Sequence, residues 1–370
     1  MMRTARPLLV IVLFLGIWIG WRSLQVSHTN EGSVSQAQSR PSAPSKVTKS
    51  VMAPKAPIIS EPESSGAPTN RTWRENLMSE DTEGLKLSRE ELAGYLQANR
   101  TNAESLLIAW QASGDREFLR LAVTNFPNDP FVQYSVVAHD LFPEDRREWL
   151  ERFKQSDPNN SLANYLSARD LMKEGKTELA LQELVAASGK TGFNDYTRQK
   201  MVGLEEAYLQ AGRSAAESKA TAMSSVMLPS LAPMKEVGRQ MSELQQQYVQ
   251  SGDQASADAM VRMGVGLARN LDSGPASQTL INHLVSMAIE RATLTKLDGE
   301  REFDFLGGTV AQRIAELKAE REQIRPITAE FQNWLLGASD TEVIAYFNRL
   351  STYGELSAMK WLKQRQVSPP

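Results

Sequence analysis

From about residue 86 onwards, helix start signals divide the chain into a succession of short amphipathic segments. Ser88–Glu91 and Ser339–Glu342 fit the capping box, in which a serine oxygen accepts a backbone N–H and a glutamate three residues later bonds back. Asp129-Pro130 places a proline at the first helical position, where its missing N–H costs nothing. No alternating run typical of a sheet occurs, although short strands near Phe303–Leu306 remain an alternative. The pattern predicts an all-α fold.

Two internal alignments indicate that these helices form repeated hairpins. The segment that starts at Pro127 aligns with the segment that starts at Pro158, 31 residues later. A second pair of segments, at an offset of 40, shares a leucine, a tyrosine and a glycine: Leu204, Tyr208 and Gly212 in one copy, and Leu244, Tyr248 and Gly252 in the other. The two offsets bracket about 34 residues, a common length for a helix-hairpin repeat.

Small residues recur at fixed places in these hairpins. They allow two helices to approach closely, and a glycine at the turn suits a left-handed helix end. The signature residues are Ala168, Gly175, Ala180 and Ala187 in one hairpin, and Tyr248, Gly252 and Ala257 in another. In this respect the chain resembles the tetratricopeptide repeat (TPR) family, although Asn164 stands where that family usually has a tryptophan. The resemblance implies a right-handed solenoid of TPR-like hairpins over residues 86–270.

Tyrosines recur in the first helix of the hairpins. Tyr134, Tyr165 and Tyr208 are candidate partner contacts, and Tyr248 holds the matching position in a fourth hairpin. Tetratricopeptide repeats usually use this position for packing between helices, so the resemblance also implies a role in the core. Both interpretations are open at the level of sequence.

Residues 271–366 are helical in pattern but show no repeat. Pro275–Leu297 carries an apolar stripe and predicts one long helix, and residues 297–308 predict a loop. Thr309–Ile324 is strongly charged and has only a narrow apolar seam. Such a segment fits either a short coiled coil or a solvated helix that packs along one edge. We therefore expect a less regular helical region at this end of the chain.

A membrane signal occupies the N-terminus. Arg3 and Arg6 precede an uncharged apolar run, Leu8–Trp21, which is typical of a signal anchor or of a cleavable signal peptide. No small-residue cleavage site follows, and the run ends in tryptophan, which favours the membrane interface. We interpret residues 1–26 as a transmembrane signal anchor, with the cleaved peptide as the alternative. The arginines predict a cytoplasmic N-terminus and a periplasmic bulk at the inner membrane.

Residues 27–72 are rich in serine and proline. A segment of this kind cannot bury enough apolar surface to offset the entropy lost on ordering. The composition predicts a disordered linker that separates the helical region from the membrane.

Composition excludes several kinds of chemistry. The chain has no cysteine, so it contains no disulfide, thiolate metal site or cysteine nucleophile. His28, His139 and His283 stand far apart and fit no metal or catalytic motif. The formal net charge of −3, without a basic block, argues against nucleic acid as a partner. We therefore expect a protein that is not an enzyme and that binds no cofactor or metal.

These features favour a membrane-anchored scaffold for protein–protein interactions, because stacked hairpins present a concave surface to an extended partner. The oligomeric state and the partner are not encoded in any motif. A small-ligand or glycan binding protein, or an enzyme accessory subunit of the cell envelope, is the alternative from another class. It would require a pocket with convergent polar groups. A purely structural spacer is a third possibility.

Overall fold

The computed structural model describes residues 72–79, 83–273 and 279–367. The predicted signal anchor, 1–26, lies outside these ranges, as does all of the predicted linker, 27–72, except its last residue. Within the described ranges, no helix combines the length and the apolar character needed to span a bilayer.

The described residues form α-helices joined by short turns, which confirms the predicted all-α class. The helices are α1 (Trp73–Leu77), α2 (Arg89–Ala98), α3 (Ala103–Ser113), α4 (Arg116–Asn125), α5 (Pro130–Ala138), α6 (Arg146–Ser156), α7 (Leu162–Lys173), α8 (Thr177–Ser188), α9 (Thr197–Gln210), α10 (Ala215–Ser225), α11 (Leu231–Ser251), α12 (Gln254–Leu271), α13 (Leu280–Leu294), α14 (Val310–Gly337), α15 (Asp340–Tyr353) and α16 (Glu355–Val367). A 3-10 turn spans Glu83–Leu85, and two short antiparallel strands, β1 (Glu302–Phe303) and β2 (Gly308–Thr309), pair with each other.

Local sequence signals set several helix starts. Both predicted capping boxes are present: Ser88 accepts from the N–H of Glu91 before α2, and Ser339 accepts from the N–H of Glu342 before α15. The Asp129 carboxylate caps α5, whose first residue is the predicted proline. These interactions satisfy N–H groups that have no partner within the helix.

Helix hairpins are the main packing unit, but they do not form a simple row. α3 packs on α4, α5 on α6, α7 on α8, α9 on α10, and α11 on α12. The α7–α8 hairpin also contacts α11 and α12, whereas α9 turns back onto α2 and α3. In a regular solenoid each repeat contacts only its neighbours. The contacts therefore establish helix-on-helix packing without establishing the regular superhelical row.

Two larger cores and one small core lie between these helices. The first extends from Leu87 to Ile289 and contains the hairpins α3 to α8 together with faces of α9, α11 and α12. The second contains α15 and α16, the latter part of α14, and Leu77 of α1. Arg74 of α1 donates to the carbonyl of Ala338 at 2.9 Å and pairs with Asp340, which ties the start of the described chain to its C-terminal helices.

The C-terminal region differs from its prediction in two places. The helix predicted over Pro275–Leu297 is observed as Leu280–Leu294, with Thr279 as its cap, and residues 275–278 of the prediction lie outside the described ranges. The charged segment predicted over Thr309–Ile324 is the first part of a longer helix, α14, which continues through a proline to Gly337. Two residues of its apolar seam, Leu317 and Ile324, are buried in the second core, and Ile314 packs against the small core. The loop between α13 and α14 contains two short strands, β1 and β2, which the sequence analysis had kept as an alternative near Phe303–Leu306.

A tight crossing joins α9 to α3. A Cβ placed on Gly203 would lie 2.7 Å from Cγ1 of Ile108. We expect Gly203→Ala to lower the free energy of unfolding by about 1–3 kcal/mol, because the buried crossing cannot take the extra methyl group.

Gly266 of α12 provides the matched control for this prediction, because a Cβ there meets no atom within 4 Å. We expect Gly266→Ala to stabilise the protein by up to about 1 kcal/mol, since alanine favours the helix. Urea unfolding of the full-length protein measures both changes. Equal stabilisation by the two substitutions would show that α9 does not lie against α3.

Candidate functional site

Of the two roles left open for the three candidate tyrosines, partner contact and core packing, their burial favours packing. Tyr134, Tyr165 and Tyr208 are 1%, 1% and 2% exposed. Tyr208 shares a hydrogen bond with Ser225 at 3.2 Å, and the other two rings pack inside the first core. Each side chain is almost fully buried, so packing within the core is its main role. Tyr248 is partly buried against the same core.

The signature residues lie where close helix packing and tight turns require them. Four alanines at helix contacts are fully buried: Ala168, Ala180, Ala187 and Ala257. Gly175 and Gly252 adopt left-handed conformations, with φ of 73° and 79°, at the ends of α7 and α11. A residue with a side chain is strained in this conformation, which explains the glycines.

A cleft of about 350 Å³ lies between α5, α7 and the start of α11. These are the first helices of three hairpins. Leu166, Pro229 and Pro233 form apolar parts of the wall, and Tyr134, although almost fully buried, also contributes to the lining. We call this the α5–α7 cleft. Its volume is within the range of about 300–1,000 Å³ that small-molecule sites occupy.

Ion pairs line one side of the α5–α7 cleft and connect its helices. Arg146, at the start of α6, donates from Nε to Asp170 of α7 at 2.7 Å and from Nη1 to the carbonyl of Val137. Arg169 of α7 pairs with Glu236 of α11, and Lys173 reaches the same carboxylate at 3.3 Å. These pairs fix the relative positions of α6, α7 and α11 at the cleft.

The carboxylates of this network already interact with its arginines and lysine. One oxygen of Asp170 accepts from Arg146 and the other from Arg169, and one oxygen of Glu236 is shared by Arg169 and Lys173. Partial burial would raise the pKa of Glu236, but the hydrogen bonds and charges of its two cationic partners outweigh burial and lower it. The cations therefore favour the ionised form of Glu236, and the lining can offer a ligand further N–H donors of its arginines and lysine.

A group of buried polar side chains, Asp195, Lys200 and Ser230, lies next to the cleft. Ser230 donates to Asp195, which is fully buried, at 2.9 Å. Lys200 is 2% exposed, donates to the carbonyl of Met227 at 3.2 Å, and lies 5.1 Å from the centre of the Tyr134 ring. Burial, partly offset by Asp195, lowers the pKa of Lys200 to about 8. In this conformation Asp195 and Lys200 are shielded from any molecule in the cleft.

The Tyr134 hydroxyl is buried beside this group without a hydrogen-bond partner of ordinary geometry in the described part of the chain. Buried polar atoms normally have such partners. Ser230 is the side chain that acts on this hydroxyl, so the hydroxyl belongs to the buried polar group and not to the open surface of the cleft.

Metal and histidine chemistry have little support in the described residues. These ranges contain no cluster of three or more histidine, aspartate or glutamate side chains that could hold a metal ion. His139 packs edge-on against Trp110, with ring centroids 4.7 Å apart. Burial, together with the charges of Lys200 and Arg116, lowers the pKa of His139 to about 4. A histidine that stays neutral and is packed on an aromatic ring has a structural role.

The sequence interpretation did not single out the residues of the α5–α7 cleft. Arg146 and Asp170 are 24 positions apart, and Arg169 and Glu236 are 67 apart, so no spacing rule connects them. The adjacent Arg169 and Asp170 in a predicted helix were the one available local signal. No protein-family model, curated protein or solved structure matches this chain.

Proposed function

We propose that this protein is a membrane-anchored scaffold that binds a segment of a partner protein in the α5–α7 cleft. The observation that carries the proposal is the position of the cleft, which is lined by the first helices of three hairpins. In helix-hairpin repeat proteins, the surface formed by stacked hairpins is the one that binds extended segments. A TPR-like, right-handed arrangement of α5–α8 with α11–α12 is part of this proposal.

The lining favours a partner segment that carries hydrogen-bond acceptors. Arg146, Arg169 and Lys173 retain unused N–H donors. Asp170 and Glu236 already accept from these cations. Backbone carbonyls and acidic side chains are suitable acceptors, and an apolar side chain fits against Leu166 and the two prolines. The expected partner is an extended segment with acidic and apolar residues.

The proposed location rests on the sequence of the N-terminus. Residues 1–26 would anchor the chain in the inner membrane, and residues 27–72 would connect the anchor to α1. The helices would then stand on the periplasmic side, within reach of envelope proteins.

Photo-crosslinking in living cells tests the proposal. A crosslinking amino acid replaces Lys173, whose side chain is 47% exposed at the cleft, or Arg120, which is 77% exposed on α4, away from it. We expect position 173 to capture a reproducible envelope protein that position 120 does not. Lys173→Glu should weaken binding of the captured protein roughly tenfold, the effect of losing one hydrogen bond to a charged group.

Arg120→Glu is the matched control, because it makes the same charge change on an exposed helix outside the cleft. The scaffold proposal is wrong for this cleft if both charge reversals leave binding unchanged, or if positions 120 and 173 capture the same proteins.

A small-ligand binding protein is the second candidate. The volume of the cleft, about 350 Å³, and the charged side chains of Arg146, Arg169 and Lys173 in its lining favour it, since small-molecule sites combine a cavity of this size with a few convergent polar groups. Mass spectrometry of the purified protein under native conditions distinguishes the two functions. A bound small molecule that Leu166→Trp excludes would support the ligand site.

A further inference from the structure

His283 lies where three helices meet. Its Nδ1 is 2.9 Å from both carboxylate oxygens of Asp272, the residue that ends α12. Its Nε2 is 3.2 Å from Oε1 of Glu320, in the middle of α14. The ring itself belongs to the first turn of α13 and is 14% exposed. One imidazole therefore faces a carboxylate on each side.

The number of protons on the ring decides how many of these contacts are favourable. A neutral imidazole has one N–H and can donate to only one carboxylate. If that donor is Nδ1, the lone pair of Nε2 faces the negative charge of Glu320. Only the imidazolium form can donate to Asp272 and Glu320 together. The protonated ring therefore links α13 to both α12 and α14, whereas the neutral ring can donate to only one of them.

The surroundings favour the charged form. Burial alone would lower the pKa of His283, but the hydrogen bonds and charges of Asp272 and Glu320 outweigh it and raise the pKa above 6.5. Asp272 at the end of α12 and Glu320 of α14 are the charged groups that act on the ring. Elsewhere in the interface, Glu290 of α13 and Arg313 of α14 are engaged with each other.

We propose that Asp272, His283 and Glu320 form a proton-dependent clamp that holds α14 against the corner between α12 and α13. Loss of the proton frees Glu320 and loosens the middle of α14, while the Arg313–Glu290 pair keeps its first turn in place. A folded-state pKa above the unfolded value gives stabilisation that is complete below about 6.5 and is lost as the pH rises through the folded pKa. The clamp therefore closes at mildly acidic pH and opens at alkaline pH.

Hydrogen exchange of the full-length protein at pH 6 and pH 8 tests the clamp, after correction for the intrinsic pH dependence of exchange. We expect amides around Glu320 to lose protection roughly two- to fivefold at pH 8, the size of effect that a partly exposed ion pair gives. His283→Gln should remove the pH dependence, because glutamine cannot titrate. Amides of α3, which lies in another core, serve as the internal reference.

NMR titration of the histidine rings gives the second, independent readout. Glu320→Gln keeps a side chain of the same shape and removes one of the two charges, so the midpoint of His283 should fall. Because Glu320 is 36% exposed, this variant should fold normally. An unchanged midpoint in Glu320→Gln, or the same loss of protection in His283→Gln as in the unmodified protein, would overturn the proposal.

Discussion

Arg313→Met is expected to destabilise the protein by about 3–5 kcal/mol. Arg313, in the first turn of α14, donates from Nε and Nη2 to the two carboxylate oxygens of Glu290 on α13, at 2.8 and 2.9 Å. The side chain of Glu290 is 4% exposed, so water cannot replace the lost partner. The substitution leaves a buried, uncompensated negative charge, whose desolvation is costly.

Two further variants separate the effect of the ion pair from the effect of changing α14. Lys318→Met removes an exposed cation from the same helix and should change stability by no more than about 0.5 kcal/mol. The double variant Glu290→Met, Arg313→Met removes both charges and should recover most of the loss, because no buried charge remains. Urea unfolding of the full-length variants, followed by circular dichroism, gives the three values. A similar small effect for Arg313→Met and Lys318→Met would contradict the buried pair.

Local interactions explain what the sequence predicted correctly. A capping box needs only a serine and a glutamate three residues apart, so Ser88 and Ser339 could be assigned without knowledge of the fold. The left-handed turns at Gly175 and Gly252 likewise follow from residues within one hairpin. Helix positions and the pairing of neighbouring helices therefore followed from short-range patterns.

Long-range packing could not be predicted in the same way. The return of α9 to α3 depends on the contact of Gly203 with Ile108, almost a hundred residues away. The glycine was visible in a helical segment, but nothing in the sequence named its partner. α14 illustrates a different reason. A proline normally ends or kinks a helix, yet α14 continues past Pro326, and Phe331 and Leu335 beyond it pack into the second core.

The candidate site could not be predicted from the sequence for a related reason. Arg146, Asp170, Arg169 and Glu236 look like ordinary surface charges of amphipathic helices, and only the packing of α6, α7 and α11 brings them together. The recurring tyrosines were open to two interpretations in the sequence, partner contact and core packing. Tyr134 and Tyr165 are almost fully buried, which favours packing. Periodicity alone does not separate a packing position from a binding position.

Glu355→Gln is expected to stabilise the protein at pH 8. Glu355 begins α16, is 5% exposed, and accepts the backbone N–H of Leu280 at the start of α13 at 2.7 Å. Burial, partly opposed by this hydrogen bond, raises the pKa of Glu355 to about 7. The carboxyl group thus holds its proton in the folded protein at pH values where the unfolded chain has lost it.

The sign of the pH dependence follows from this difference. Between about pH 4.5 and 7 the folded state binds more protons than the unfolded state, so stability falls as the pH rises through that window. Glutamine keeps an oxygen for the Leu280 N–H and cannot ionise. Unfolding of Glu355→Gln should therefore vary less with pH, and at pH 8 this variant should exceed the unmodified protein by on the order of 3 kcal/mol. Glu330→Gln, on the exposed side of α14, is the control, and urea midpoints from pH 5 to 8 give the comparison. If both glutamine variants follow the unmodified protein across this range, the Glu355 carboxyl is not held protonated by burial, and the contact between α13 and α16 is more open to water than its geometry indicates.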